Sequence, residues 1–117
     1  MTQERLGEAQ SLAEFELLVM LAALRLGPEG AYTVSIAEDI RRRTGRWVRR
    51  ANVYTVLRRL EEKHLVTSRL GEPRSERGGR PPRLVTVTPA GLESLQATTA
   101  AIQAMIAGLP GFPGGTR

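Results

Sequence analysis

The stretch Arg49-Arg50-Ala51-Asn52-Val53-Tyr54-Thr55-Val56-Leu57-Arg58-Arg59-Leu60-Glu61-Glu62-Lys63-His64 decides how the 117-residue chain is read. Wound at about 100° per residue, it sends Val53, Leu57, Leu60 and His64 into one narrow arc. Asn52, Thr55, Arg58, Arg59 and Glu62 fall on the opposite side. One face is built for a core, and the other carries short polar groups and guanidiniums. A helix over 51–63 with such a face, preceded by another helix and a tight turn, suits the major groove of a nucleic-acid duplex. Asparagine matches the N6/N7 edge of adenine and arginine the O6/N7 edge of guanine, so Asn52, Thr55, Arg58 and Arg59 are candidate base-edge readers. Arg49 and Arg50 stand ahead of the helix, where phosphates would pass, and are expected to position rather than read. Tyr54, beside the apolar stripe, is expected half in the core with its hydroxyl free to reach a phosphate.

Working upstream, a helix is expected over Thr33–Thr44, stopped by Gly45, with Val34, Ile36, Ala37 and Ile40 inward. Arg41, Arg42 and Arg43 occupy its last turns. Two readings stay open for them: complementing the helix dipole, or touching phosphate. Trp47, the only tryptophan, is likewise open to two readings: it packs beneath the connection between the helices, or it stands as a lid over a planar ligand or a contact near the DNA. Val48 is expected to point inward. Further upstream, Ser11-Leu12-Ala13-Glu14 has the spacing of a capping box and opens a helix expected to run to Leu26 and stop at Gly27-Pro28. Its apolar residues go almost all the way round, with Leu12, Phe15, Val19 and Leu26 on one side and Leu17, Leu21 and Leu24 on another. Such a helix needs cover on most faces, and in a domain this small a second subunit is the expected source of part of it.

Downstream, Leu65–Leu70 and Leu84–Val87 read as strands. Between them residues 71–83 have turn chemistry throughout and carry Arg74, Arg77, Arg80 and Arg83. This is a long basic hairpin tip, expected to bring charge to phosphates or the minor groove. His64 stands where a helix C-cap of positive φ is expected. Thr88-Pro89 then restarts a helix, with Thr as N-cap and Pro at its first position. Along it Leu92, Leu95, Thr99, Ile102, Ile106 and Leu109 keep a seven-residue repeat. So short a repeat could also pack on its own domain, but no charged residue occurs from Ser94 to Thr116, which favours a second copy, with Leu12, Phe15, Val19, Leu92, Leu95, Ile102 and Ile106 as the expected subunit contact.

The order helix, helix, turn, helix, hairpin, helix is that of a winged helix-turn-helix: mainly α with a small β-hairpin wing and a C-terminal dimerisation helix. The expected divisions are a flexible N-terminus (1–11), a DNA-binding domain (12–88), a dimerisation helix (89–108) and a disordered tail (109–117).

Charge supports the same division. Residues 1–30 hold two Arg and five Glu, residues 31–83 fourteen basic and six acidic residues, and residues 84–117 one of each. The overall +5 therefore conceals a middle segment of net +8. Sixteen of the seventeen basic residues are Arg, a bias toward bidentate recognition of phosphates and base edges. The absence of cysteine excludes disulfides, thiolate metal sites and cysteine nucleophiles. One His leaves no material for a Ser-His-Asp triad or a His-based metal centre. No enzyme activity, metal or cofactor is expected. Aromatic residues are 4% of the chain, too few for a stacking platform on single strands. No signal peptide or span is evident, and a cytoplasmic location is expected.

With these residues in hand, the chain resembles the PadR family of bacterial transcriptional regulators. The resemblance rests on 13–20 in the first helix, 53–63 in the third, Arg77-Gly78-Gly79-Arg80 in the wing and Val87-Thr88-Pro89-Ala90-Gly91 opening the last helix, together covering about 80 residues. It implies homodimers on two-fold-related DNA sites, usually as repressors, with the third helix in the major groove and some members released by a small ligand. Two departures stand out. The family often has Ser-Pro-Gly-Thr where this chain has Arg49-Arg50-Ala51-Asn52, and usually Gly where it has His64. The competing reading is a winged helix that binds RNA or a protein partner.

Overall fold

The structure, a computed structural model, describes residues 12–73 and 78–113. Its elements are α1 (Glu14–Leu26), α2 (Thr33–Thr44), α3 (Arg50–Glu62), β1 (Val66–Leu70), β2 (Arg83–Val87) and α4 (Pro89–Ile106). Every expected element is present, within two residues of its expected ends.

Helix α1 is the centre of the molecule. Leu17, Val19, Met20, Ala22 and Ala23 are buried along it, and α2, α3, α4 and β2 all pack against it. The helix begins two residues later than the sequence indicates, with Ala13 as N-cap. The expected box is therefore displaced: the Glu16 carboxylate accepts from the Ala13 N–H at 3.0 Å, while alanine has no side-chain acceptor to complete the exchange. Ser11 lies outside the described residues. Gly27, at φ 81°, ends the helix. Its carbonyl then accepts from the Gly30 and Ala31 N–H groups.

Helix α2 contributes Ile36, Ala37 and Ile40 to the core, with Val34 half-buried. It stops at Gly45 in the left-handed region. Helix α3 buries Val53, Val56, Leu57 and Leu60. Its end is a Schellman motif: His64 adopts φ 63°, its N–H donates to the Glu61 carbonyl, and the Leu65 N–H donates to the Leu60 carbonyl. The unusual residue thus does what glycine does elsewhere, taking the left-handed turn that feeds α3 into the hairpin.

In the hairpin, β1 and β2 are antiparallel, from Val66 opposite Val87 to Leu70 opposite Arg83. The outer edge of β2 is also tied down, since the Val85 N–H donates to the Ala31 carbonyl at 2.9 Å. Thr88 couples the hairpin to α4. Its hydroxyl donates to the His64 carbonyl at 2.9 Å and accepts from the Gly91 N–H at 3.0 Å. Val19, Met20, Ile36, Val53, Leu60 and Leu65 are almost wholly enclosed, each worth about 1.5–3 kcal/mol in apolar burial.

The expected subunit contact is corrected in part. Leu12, Val19 and Leu95 are 8%, 0% and 2% exposed within the single chain, because α1 finds its cover on its own subunit's helices and strand. Phe15 is half-buried against the same core. Of the seven residues, Leu92 and Ile102 are open to solvent and Ile106 is half-exposed. The first half of α4, with Gly91, Ser94 and Leu95 buried, belongs to the domain. From Gln96 onward no residue of the helix is buried.

Candidate nucleic-acid interface

Helix α3 turns its buried stripe to α1 and the hairpin, and chain geometry then puts Asn52, Thr55, Arg58 and Arg59 on the exposed side. Arg49, the N-cap, and Arg50, the first helical residue, are exposed at its start, with no side chain capping the helix. The Arg50 and Ala51 N–H groups at its positive dipole end have no partner among the described residues, whereas those of Asn52 and Val53 donate to the Arg49 carbonyl. Asn52, Thr55, Arg49 and Arg50 make no side-chain hydrogen bond or ion pair among the described residues.

Arg58 and Arg59 are not equivalent. Arg58 turns along its own helix toward Glu62, 3.9 Å away, and feels the Tyr54 hydroxyl as well. Both raise its pKa, Tyr54 the more. Tyr54 is 51% exposed, as its place beside the apolar stripe indicates. The charge of Arg59 acts on Glu16, a buried carboxylate at the start of α1. Burial works to raise the Glu16 pKa. The Ala13 N–H, the Lys63 ammonium at 3.0 Å and the charge of Arg59 outweigh it and hold the group below its ordinary value.

The four wing arginines also separate. Arg80 is exposed at the tip, while Arg74 and Arg77 lie outside the described residues. Arg83 is exposed where the loop enters β2, opposite Leu70, and its guanidinium donates to the Ser68 hydroxyl at 3.1 Å. That hydroxyl in turn donates to the Glu61 carboxylate at 2.9 Å. The chain Arg83–Ser68–Glu61 ties the hairpin to the last turn of α3 and sets the angle between them.

Two further groups escape sequence reasoning. Asp39 is buried, with Arg25, Arg43 and Arg42 at 3.2, 3.4 and 3.8 Å. The open question over Arg41–Arg43 thus divides: Arg42 and Arg43 answer Asp39, one turn before them, and only Arg41 stays unpaired among the described residues. The i,i+3 and i,i+4 spacings were the available signal. Trp47 does not pack beneath the connection but is 82% exposed. Val48, as expected, turns toward the core.

Among the described residues no cluster of three or more His, Asp or Glu could hold a metal ion. No described helix is long and apolar enough to cross a membrane.

Residues 20–97 match the transcriptional regulator PadR-like family. The chain belongs to that family. A solved PadR-family transcriptional regulator from Eggerthella lenta DSM 2243 is similar at 26% identity and TM-score 0.60, over 79% of this chain and 79% of that one. A transcriptional regulator from Thermoplasma acidophilum shares the fold at TM-score 0.62 and 18% identity, over 76% of this chain and 82% of that one. Among curated proteins none matches significantly. As a PadR-family member the chain is a transcriptional regulator rather than an enzyme, and regulation of this kind acts through DNA. The exposed face of α3 and the wing are the elements that a winged helix offers to a duplex.

Proposed function

We propose that this PadR-family regulator is a cytoplasmic homodimer that represses transcription by binding a two-fold-symmetric operator. In this reading residues 12–88 form the DNA-binding head and 89–108 the dimerisation helix, with 109–117 as a tail. One α3 from each subunit enters the major groove at half-sites about one helical turn apart. Asn52, Thr55, Arg58 and Arg59 read base edges. Arg49 and Arg50 hold phosphates at the helix start. Arg80, with Arg74 and Arg77 in the same loop, tracks the flanking backbone.

The observation that carries the reading is the polar face of α3, set opposite a buried stripe, on and beside which Asn52, Thr55, Arg49 and Arg50 are unpaired among the described residues. Elsewhere on the surface arginines answer carboxylates: Arg42 and Arg43 face Asp39, Arg46 faces Glu14, and Arg69 faces Glu29. Charge left unpaired on one side needs a polyanion to neutralise it. The dimer reading is supported by α4 beyond Gln96, where Ile102, Met105 and Leu109 are exposed and no charge keeps a second copy away.

A gel-shift titration on duplex from upstream of the chain's own coding start tests the proposal. Preference over random duplex is expected, falling steeply with salt at about 0.9 in log–log slope per phosphate contacted. Asn52→Ala and Arg59→Ala should each relax sequence choice, by about 1–3 kcal/mol of discrimination. Arg80→Ala should weaken all duplexes alike and lower the salt slope by about one. Absence of any preference at moderate salt overturns the operator reading and favours an RNA or protein partner.

A further inference from the structure

Trp47 is exposed without being loose. On one side Gly45 turns in the left-handed region, the Arg46 N–H donates to the Thr44 hydroxyl at 3.1 Å, and the Arg46 guanidinium is forked onto the Glu14 carboxylate. On the other side Val48 packs partly into the core and Arg49 caps α3. Both neighbours of Trp47 are therefore anchored, and the indole between them is held in solvent. Beside it a groove of about 670 Å³ runs between α2 and the start of α3. Arg41, Arg49 and Arg50 line it, together with Trp47 and a single acid, Glu38. None of the three arginines makes an ion pair among the described residues.

A large indole left in water forgoes the burial energy that usually decides where tryptophan sits. Its surroundings indicate what covers it. A peptide segment that covered it by apolar contact would leave three guanidiniums unanswered, and a small anion would answer the guanidiniums without needing the indole. A sugar-phosphate strand alternates an apolar ring with an anion, as the groove alternates indole with guanidinium. The groove also reaches Ala51, the residue next to Asn52 at the start of α3.

We infer that the Trp47 groove is a second contact on the same duplex, the indole resting on a deoxyribose and Arg41 and Arg49 on the phosphates either side. This rests on the proposed reading of α3. Arg41 thereby joins the phosphate-contacting set, and the connection between α2 and α3 becomes part of the interface instead of a spacer.

The sole tryptophan makes the test direct. Binding of fluorescein-labelled upstream duplex is followed by anisotropy while Trp47 emission and its quenching by acrylamide are recorded. Duplex is expected to shield Trp47 from acrylamide. Trp47→Ala should weaken binding about tenfold and keep the sequence preference, and Arg41→Ala should lower the salt slope by about one. Thermal melting of both variants is expected to match wild type, since neither side chain supports the core. Duplex binding with unchanged acrylamide quenching, or a Trp47→Ala protein that binds as wild type, overturns the inference while leaving the reader role of α3 intact. Benzoate alone shielding Trp47 as fully as duplex does would also overturn it, in favour of a small-ligand pocket. Failure to bind any duplex overturns both.

Discussion

The Cα of Gly91 packs so closely under Leu65 that a β-carbon placed on it would overlap the Leu65 carbonyl oxygen. It would also meet the Met20 Cε at 2.9 Å. Backbone meets backbone here because Thr88 draws both the His64 carbonyl and the Gly91 N–H onto its hydroxyl, and the Thr88 N–H donates to that same Leu65 carbonyl. The start of α4, the entry to the hairpin and the middle of α1 are locked at one point. Gly91→Ala should therefore cost about 2–3 kcal/mol or more, since the obstacle is backbone and cannot change rotamer. Urea denaturation measures it; a loss under about 0.5 kcal/mol would show that the contact relaxes freely.

His64→Gly should stabilise the chain. The position has φ 63°, where a β-carbon costs about 1–2 kcal/mol and glycine little. Part of that gain is offset by the greater freedom of glycine in the unfolded chain, leaving about 0.5–1 kcal/mol. The exposed imidazole adds no core contact to lose. A higher thermal midpoint is the expected reading, and a lower one would mean that the ring has a role beyond capping.

Glu16 gives the fold an acid-sensitive element. Its pKa in the folded chain lies below the ordinary 4.5, so the folded state binds the proton less readily than the unfolded state. The stabilisation it provides is complete above about pH 5 and is lost as the pH falls through the folded value. Glu16→Gln should cost about 1 kcal/mol at pH 7, modest because Lys63 is partly exposed. The gap between variant and wild type should close as the pH is lowered below 4. A gap independent of pH from 7 to 3 would assign the effect to packing rather than charge.

Ile102→Glu combined with Ile106→Glu should separate subunits while leaving each one folded. Ile102 is 45% exposed and neither side chain belongs to the core. Sedimentation should shift to the monomer mass with an unchanged melting profile at high dilution. Dimers as tight as wild type would remove the outer half of α4 from the contact.

The polar face of α3 was legible from order alone, because a helix converts sequence spacing into angle. Val53, Leu57 and Leu60 could fall together only if Asn52, Thr55 and Arg59 fell opposite. The wing, the Thr88 cap and the left-handed His64 were equally local, each set by a few neighbouring residues. Arg46 and Glu14 are 32 positions apart, and no local spacing joins them. The same holds for the bond from Arg83 to Ser68, 15 positions away across the hairpin.

Helix α1 marks the boundary most clearly. Its composition required cover on nearly every side, yet apolar periodicity says only that a surface is buried, not by what. Val19 and Leu95, suited equally to a partner's helix, are enclosed by their own chain. Trp47 shows the same limit in reverse, since its hydropathy pointed inward while the anchoring of Arg46 and Val48 turns it out. Local order thus determined the elements, their caps and the polar face of α3. Which apolar faces meet, which charges pair and which indole stays in water depended on long-range closure of the chain, where packing competes across residues that no short window contains.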